Sequence, residues 1–469
     1  MDTALLKEGK AKDAESASAS SAHKSPKYSF LKRHATISEQ SILAESATTS
    51  TCSGGISPQL AEQRRRTTNL GAGPSPLPTS VLETATQGLL NYGQTGMGIT
   101  ELSHRSPTFQ TLITGAENNF RKLLGIPRHF KIIFMQGGGL SQFSAVYLNL
   151  TGATSAKGRQ LAGTNQRPRA EYFVTGSWSS KAVTEAKRLG CDVNVVSDSR
   201  TASADGKSFT GIPDASTWTW SKPTGSEAEK PAYIYYCSNE TIHGVRMDAP
   251  KVPEHLKDVP IVSDMSSNIL TEPIDFAGSN YGIIFAGAQK NMGPAGVTVA
   301  IIREDLLVDP DDRTPEMLSY KKLADAGSLH NTPPMFSIYV TALMFEEILS
   351  KGGVEVKNRE SEEKARKVYS AIDKSHGFYI PKVTDRKSRS LMNVVFELKD
   401  GKEAEERFVK EAGLRGIKQI KGHRSVGGIR ASLYNAVTLD QTDIFVSFLE
   451  EFRRGAPPMP TSPVDINAQ

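Results

Sequence analysis

The stretch YGIIFAGAQKNMGPAG, residues 281 to 296, runs from apolar residues into a turn punctuated by glycine and proline, with one lysine, Lys290, between them. A short continuous apolar run bounded by turn residues is the pattern of a strand buried on both faces. A lysine at the end of such a strand has little rotamer freedom and an amine partly withdrawn from water. Desolvation favours the neutral amine, which attacks an aldehyde to form a Schiff base. A surface lysine and a phosphate contact are the other readings of this residue, and its surroundings choose among them.

Working outward, similar runs recur at KIIFMQ (131–136), EYFVTG (171–176), CDVNVV (191–196), AYIYYC (232–237), PIVSDM (260–265) and VTVAII (297–302). Helical patterns lie between several of them. In SPTFQTLITGAENNFRKLLG (106–125), Ser106 can cap the helix and Pro107 suits its first turn. Phe109, Leu112, Ile113, Ala116, Phe120, Leu123 and Leu124 then keep the helical period. LSQFSAVYLNL (140–150) reads as another helix. The pattern predicts an α/β fold with a large domain built on a mostly parallel seven-stranded sheet.

After about residue 350 the texture changes to a smaller C-terminal α/β unit. ESEEKARKVYSAIDKSHG predicts a helix, LMNVVFELKD and IRASLYN predict strands, and TLDQTDIFVSFLEEFRR a last helix with Thr438 and Gln441 spaced for a capping box. The polar stretch 205–230 is expected to be a surface excursion pinned by Trp218 and Trp220. Residues 1–65, with ESASASSAHKSP and SILAESATTSTCSGG, have too few apolar residues to offset the entropy of ordering and are expected to be a disordered extension. The expected organisation continues as an arm at 66–79 joining the small domain, a large domain at 80–349, the small domain at 350–460 and a flexible tail at 461–469.

The 469 residues carry 56 basic and 51 acidic side chains, a net charge of +5 that calls for neither nucleic acid nor a membrane as partner. Cys52, Cys191 and Cys237 lack a disulfide-scaffold spacing, which favours a reducing compartment. No run is long enough to span a bilayer and no secretory signal is recognised, so a cytoplasmic location is expected. Lys32, Arg33 and His34 could serve organelle targeting, but acids lie nearby.

Asp264 closes the run PIVSD. Parallel strands put their carboxyl ends on one edge, where a carboxylate can pair with a pyridine nitrogen and keep it protonated. Capping a helix over SSNILTEP is its alternative role. Gly137, Gly138 and Gly139 allow close backbone approach before a helix start and suit a phosphate, although they match neither the Rossmann nor the P-loop spacing. A flexible turn would explain them equally. Thr241 and Gln289 are polar candidates for the same ligand. Trp178 could stack on a planar ring or simply pack in the core. Electron-sink partner, covalent anchor, phosphate cradle and aromatic plane are together the requirements of pyridoxal 5′-phosphate (PLP) chemistry.

His104–Arg105, His423–Arg424 and Arg430 are candidates for an anionic substrate, since a guanidinium fork matches carboxylate and phosphate. A zinc site is less attractive: His243 and His255 have no tight ligand grouping around them. Cys237 has no base and orienting partner nearby in sequence.

The strings NLGAGPSPLP, ELSHRS, QGGGLSQFSAVYLNL, CSNETIHGV, VSDMSSNIL, FAGAQKNMGPAG, HNTPPMFSIY and GHRSVGGIRAS, in this order, resemble the phosphoserine aminotransferase family, in the class V branch of fold-type I PLP enzymes. The resemblance runs from about residue 67 to 455. It implies that Lys290 holds PLP and moves the proton, that Asp264 pairs with the ring nitrogen and that Trp178 stacks on the ring. It further implies cofactor contacts from Gly139, from Leu140 through its backbone, and from Thr241 and Gln289. Asn331 and Thr332 would reach the cofactor phosphate of the neighbouring subunit, so a homodimer with composite sites is implied. Arg430 would take the substrate α-carboxylate. His104, Arg105, His423 and Arg424 would receive the phosphate or the glutamate side chain, the first pair across the dimer. Leu140 stands where some bacterial members have arginine and cannot supply that charge.

The implied reaction exchanges an amino group between L-glutamate and 3-phosphohydroxypyruvate, giving 2-oxoglutarate and O-phospho-L-serine in serine biosynthesis. Another class V aminotransferase, such as an alanine- or serine–glyoxylate enzyme, is the alternative, opposed by the HR, NTPP and HRSVGGIRAS strings. A cysteine desulfurase is disfavoured because no cysteine follows Cys237. An inactive regulatory or scaffold protein keeping the fold is the alternative of another kind.

Overall fold

The computed structural model describes residues 56–455 apart from Thr154, Thr224 and Pro310. The serine-rich segment to residue 55, with Cys52, Lys32, Arg33 and His34, and the tail at 461–469 lie outside the described residues. Residues 58–65, expected within the disordered extension, instead form a helix, Pro58–Arg65. Ser57 accepts the N–H of Leu60, Glu62 pairs with Arg65 and Arg66, and Arg64 donates to Leu77 O and Thr79 Oγ1. The helix buries no side chain. Polar contacts hold it, which a reading based on apolar burial misses.

Seven strands form the main sheet: β1 (Phe130–Met135), β2 (Arg169–Val174), β3 (Asp192–Asp198), β4 (Ile234–Cys237), β5 (Ile261–Asp264), β6 (Tyr281–Gly287) and β7 (Thr298–Arg303). Their order is β1-β7-β6-β5-β4-β2-β3. β7 is antiparallel to both its neighbours, so the other six strands share one direction and the sheet is mostly parallel. Alternate residues enter two cores. Ile132, Phe134, Ile284 and Ile301 pack with Phe109, Phe120 and Phe345, while Ile133, Met135, Ile283, Phe285 and Ala300 pack with Phe143 and Tyr235. Burial of both faces is why these strands read as unbroken apolar runs rather than alternations.

Helices cover the faces. Pro107–Leu124 is capped by Ser106 and turns its apolar stripe into the first core. Met335–Ser350 is apolar on nearly all sides and is wedged against Pro107–Leu124 and Thr79–Leu90. The helix after the glycine run spans Gly138–Thr151 and so begins two residues earlier than its sequence pattern indicated. Trp218 and Trp220 pack edge-on against Phe173 and anchor the 205–230 excursion.

Toward the C-terminus, β8 (Tyr379–Pro381), β9 (Asn393–Leu398) and β10 (Ile429–Ser432) make a three-stranded antiparallel sheet. It has its own core, with the rings of Tyr379, Phe396, Phe408, Phe448 and Phe452 packed edge-on or tilted against one another under the helices Gly353–Asp373, Gly401–Leu414 and Leu439–Arg453. The Thr438–Gln441 capping box is present. Thr68 and Asn69 pair in parallel with Ile417 and Lys418, and Leu70 enters this core. No helix among the described residues is long and apolar enough to cross a membrane.

Candidate active site

Because six strands of the main sheet point the same way, the residues that follow β1, β2, β4, β5 and β6 emerge on one edge. These are Gly137–Gly139, Trp178, Thr241, Asp264 and Lys290. Lys290 lies in the connection from β6 back to antiparallel β7, which accounts for the glycine and proline after it. Its backbone is braced from the N-terminal arm: the Ser75 hydroxyl donates to Lys290 O, and Ser75 N–H donates to Gln289 O at 2.9 Å.

The Lys290 amine donates to Thr241 Oγ1 at 2.7 Å. Burial pulls its pKa down, against the nearby carboxylates Asp264 and Glu240, while Arg430 pulls the same way as burial. The neutral nucleophilic form is thereby favoured. Asp264 is buried, and burial pushes its carboxyl up, opposed by Ser266 and by Lys290. Its Oδ1 accepts the Ser266 N–H at 2.9 Å, which closes a turn, so the alternative role of capping a helix over SSNILTEP is not realised. A Cβ placed on Gly139 would stand 3.8 Å from Asp264 Oδ2 and 4.0 Å from Phe285, so the glycine keeps a strip beside the carboxylate clear.

Trp178 sits at the second position of the helix Ser177–Arg188. Lys290 Nζ lies 5.9 Å and Lys181 Nζ 4.4 Å from its ring centroid. The indole also packs partly on the second core, yet its buried Nε1 has no hydrogen-bond partner among the described residues. Arg430, on β10, donates to Thr241 O at 3.3 Å and so ties the small sheet to this edge. Gln289 is half-buried beside the lysine, and Leu140 is 56% exposed at the start of its helix.

The other cationic candidates fall into two groups. Arg424 is exposed, and His423 accepts the Ser425 N–H on Nδ1 at 3.2 Å. Burial, then Arg430 and Arg424, hold the His423 imidazole below its usual range. His104 instead pairs through Nδ1 with Thr332 Oγ1 at 3.3 Å, and Gln136 donates to Thr332 O at 3.3 Å. Among the described residues, the side-chain hydrogen bond of His104 and Thr332 joins them to each other and not to Lys290, Asp264 or Trp178. Arg105 is exposed next to them and Asn331 half-buried.

His243 and His255 are taken up by Ser177 Oγ and Ser221 O. The Cys237 thiol is pushed well up by burial, which removes it as a nucleophile. The sequence reading passed over Glu240, although it lies in CSNETIHGV. Its carboxylate is fully buried and accepts from Trp178 and Ser179. Its partners lie 62 and 61 residues away along the chain, so no local signal in the sequence pointed to it.

An amine whose pKa burial lowers, a buried carboxylate and an aromatic plane at one strand edge suit a pyridine aldehyde, and the class follows. The class-V aminotransferase family profile matches residues 67–199 and 210–445, and the fold is that of the PLP-dependent aminotransferases. A phosphoserine aminotransferase of Laribacter hongkongensis is 43% identical over 386 residues, 82% of this chain and 98% of that one. Among solved structures, the phosphoserine aminotransferase from Bacillus circulans subsp. alkalophilus aligns with a TM-score of 0.74 at 38% identity, covering 84% of this chain and all of that one. A PLP-bound phosphoserine aminotransferase from Trichomonas vaginalis aligns at 0.71 and 35% identity, covering 81% and 99%. The chain belongs to the phosphoserine aminotransferase family.

Proposed function

We infer that the chain transfers the amino group of L-glutamate to 3-phosphohydroxypyruvate, releasing 2-oxoglutarate and O-phospho-L-serine for serine biosynthesis, with PLP as cofactor. The observation that carries this is the desolvated Lys290 amine, bound among the described residues to Thr241 Oγ1, on the same strand edge as the buried Asp264 carboxylate. The strip kept clear by Gly139 and the unpartnered Trp178 Nε1 fit a planar phosphorylated ligand there. When bound, PLP supplies an aldehyde that takes up the amino group and an electron-poor ring that stabilises negative charge at the substrate Cα.

The protein's part is positioning and proton movement. Lys290 Nζ would anchor the cofactor and, as a free amine, would carry the proton from the substrate Cα to the cofactor's aldehyde carbon. Thr241 orients that nitrogen. Asp264 would hold the proton on the ring nitrogen, and Trp178 would cover the ring face. The N–H groups around Gly139 and Leu140, with Gln289, would hold its phosphate at the helix start. Arg430 takes the α-carboxylate common to both substrates, from a position fixed by Thr241 O. His423 and Arg424 meet the substrate's distal anion.

His104, Arg105, Asn331 and Thr332 serve the site of a second subunit in a homodimer. Their pairing apart from the Lys290 cluster supports this, as do Leu90, Met97 and Leu140, exposed at 76%, 45% and 56%. Free, buried Cys191 and Cys237 suit a reducing cytoplasm. A substrate panel followed by absorbance tests the reading. Glutamate should convert the visible spectrum of the PLP-loaded protein, and 3-phosphohydroxypyruvate should restore it far better than its dephosphorylated analogue. A spectrum unmoved by saturating glutamate, or equal use of both oxoacids, would refute it.

A further inference from the structure

The helix Ser177–Arg188 opens without a cap of its own. Its N-cap is Gly176, which has no side chain to accept the N–H groups of the first turn, and such groups need partners when buried. The acceptor comes from a distant part of the chain. Glu240 Oε2 accepts the Trp178 N–H at 3.0 Å, and Oε1 accepts the Ser179 N–H at 2.8 Å. The Ser179 hydroxyl donates to Oε1 at 2.7 Å while accepting the N–H groups of Thr175 and Gly176 at 2.9 and 3.0 Å. The N–H groups of Thr175, Gly176, Trp178 and Ser179 therefore all end on one carboxylate, directly or through one hydroxyl.

Glycine and glutamate here require each other. A Cβ on Gly176 would lie 2.4 Å from Glu240 Cδ. Any local capping residue would displace the carboxylate. The Gly176 backbone is extended, at φ 174°, so space rather than conformation demands the glycine.

A cap supplied in this way sets register. Glu240 is the chain neighbour of Thr241, whose hydroxyl holds Lys290 and whose carbonyl holds Arg430. A serine at 176 would tie Trp178 to its own loop. Glu240 ties it to the residue that fixes the reactive amine and the substrate arginine.

Granting Trp178 its place against the cofactor ring, we propose that Glu240 is a positioning residue of the transamination site. By capping the tryptophan helix from the Glu240–Thr241 pair, it holds the indole, Lys290 and Arg430 in one frame. It touches neither substrate nor cofactor and acts through Trp178.

In the PLP-loaded protein, Glu240→Ala should lower kcat per loaded site about tenfold for both half-reactions, with smaller changes in either KM. A readout without turnover comes from replacing Trp218 and Trp220 by phenylalanine, which leaves Trp178 as the only one of three tryptophans. Its fluorescence in the apoprotein should become more accessible to acrylamide in Glu240→Ala. The deciding variant is Gly176→Ser with Glu240→Ala, which puts a local cap into the vacated space. It should regain thermal stability but neither kcat nor the Trp178 signal. Recovery of all three would mean that Glu240 only stabilises a helix, and the proposal would fall. Should Glu240→Ala not fold, Glu240→Gln keeps the bulk and one acceptor; unchanged kcat and fluorescence there overturn the proposal equally. Trp178→Leu separates the two ideas. Parent-like turnover would remove the stacking role, whereas a Trp178→Leu defect beside an intact Glu240→Ala enzyme removes the positioning role alone.

Discussion

Lys290, at the edge of the main sheet, and Lys364, under the small one, are both withdrawn from water and are used in opposite ways. Lys364 is 1% exposed and donates to the carbonyls of Leu433, Tyr434 and Val437 at 2.9, 3.0 and 3.0 Å. All three ammonium protons are taken. Among the described residues Lys290 has one acceptor, Thr241 Oγ1, and its amine lies 5.9 Å from the Trp178 ring centroid with the Asp264 carboxylate nearby. Burial lowers the pKa of both, Lys364 to about 7. Desolvation therefore does not by itself make a lysine reactive; unused hydrogen-bonding capacity at a strand edge does.

The largest expected effect separates the two chemically. Lys290→Ala should lower kcat by about 10⁴-fold or more, because anchor and proton carrier are lost together. Stability should change by only about 1 kcal/mol, the worth of one hydrogen bond. Borohydride reduction of the PLP-loaded protein followed by mass spectrometry should place the added mass on position 290 and none on 364. Label on Lys364 would break the contrast.

Lys364→Met should give the mirror image. Three carbonyls lose their donor, at a cost of about 3 kcal/mol in unfolding free energy, while kcat per loaded site stays within a few-fold. The pH dependence sharpens this. With a folded pKa of about 7 below the unfolded value, the unfolded chain binds more protons between the two values. Stability should then rise with pH from about 7 toward 10, and Lys364→Met should flatten that slope in urea unfolding curves. A parent curve already flat would mean that three carbonyls, fully used only by the ammonium, outweigh burial.

How far such differences are legible in sequence depends on distance along the chain. The seven strands were legible because burial on both faces writes apolar runs, and Lys290, Asp264, Trp178 and Thr241 follow from where those runs stop. The helix Met335–Ser350 left no period because it is apolar nearly all round. The cap from Glu240 to Trp178 spans 62 residues and the brace from Ser75 to Lys290 O spans 215. No local pattern encodes either. Lys364 looked like any charge on an amphipathic helix, since the carbonyls that claim it come from the chain after β10.

Arg430 extends the contrast to guanidinium groups. It is half-buried and, among the described residues, has a single acceptor, Thr241 O, whereas Arg389 is held by Val383 O and by both carboxylate oxygens of Asp373. The under-used fork is the one on β10 facing the site. Arg430→Ala should cost about 10²-fold in kcat/KM with glutamate and with 3-phosphohydroxypyruvate alike, since both carry an α-carboxylate. Arg389→Ala should alter stability and leave both specificity constants nearly unchanged. A loss confined to one substrate would reassign Arg430 to the distal anion.

The smallest effect falls on His423, whose open nitrogen is Nε2 because Nδ1 already accepts from Ser425 N–H. Its pKa is held down by burial and then by Arg430 and Arg424, so the free site carries it neutral near pH 7.5. A bound phosphate favours the imidazolium, so binding takes up a proton and phosphoserine affinity should rise as pH falls toward the free-site pKa. The gain is at most about tenfold per pH unit and fades below that pKa. The phosphate's own second ionisation, near pH 6, works the other way by removing charge from the ligand. The comparison is therefore between the parent and His423→Asn, titrated with phosphoserine at several pH values. The difference between their slopes belongs to the histidine. Parallel slopes would show that Nε2 meets no anion, and that Arg424 serves the distal end of the substrate without it.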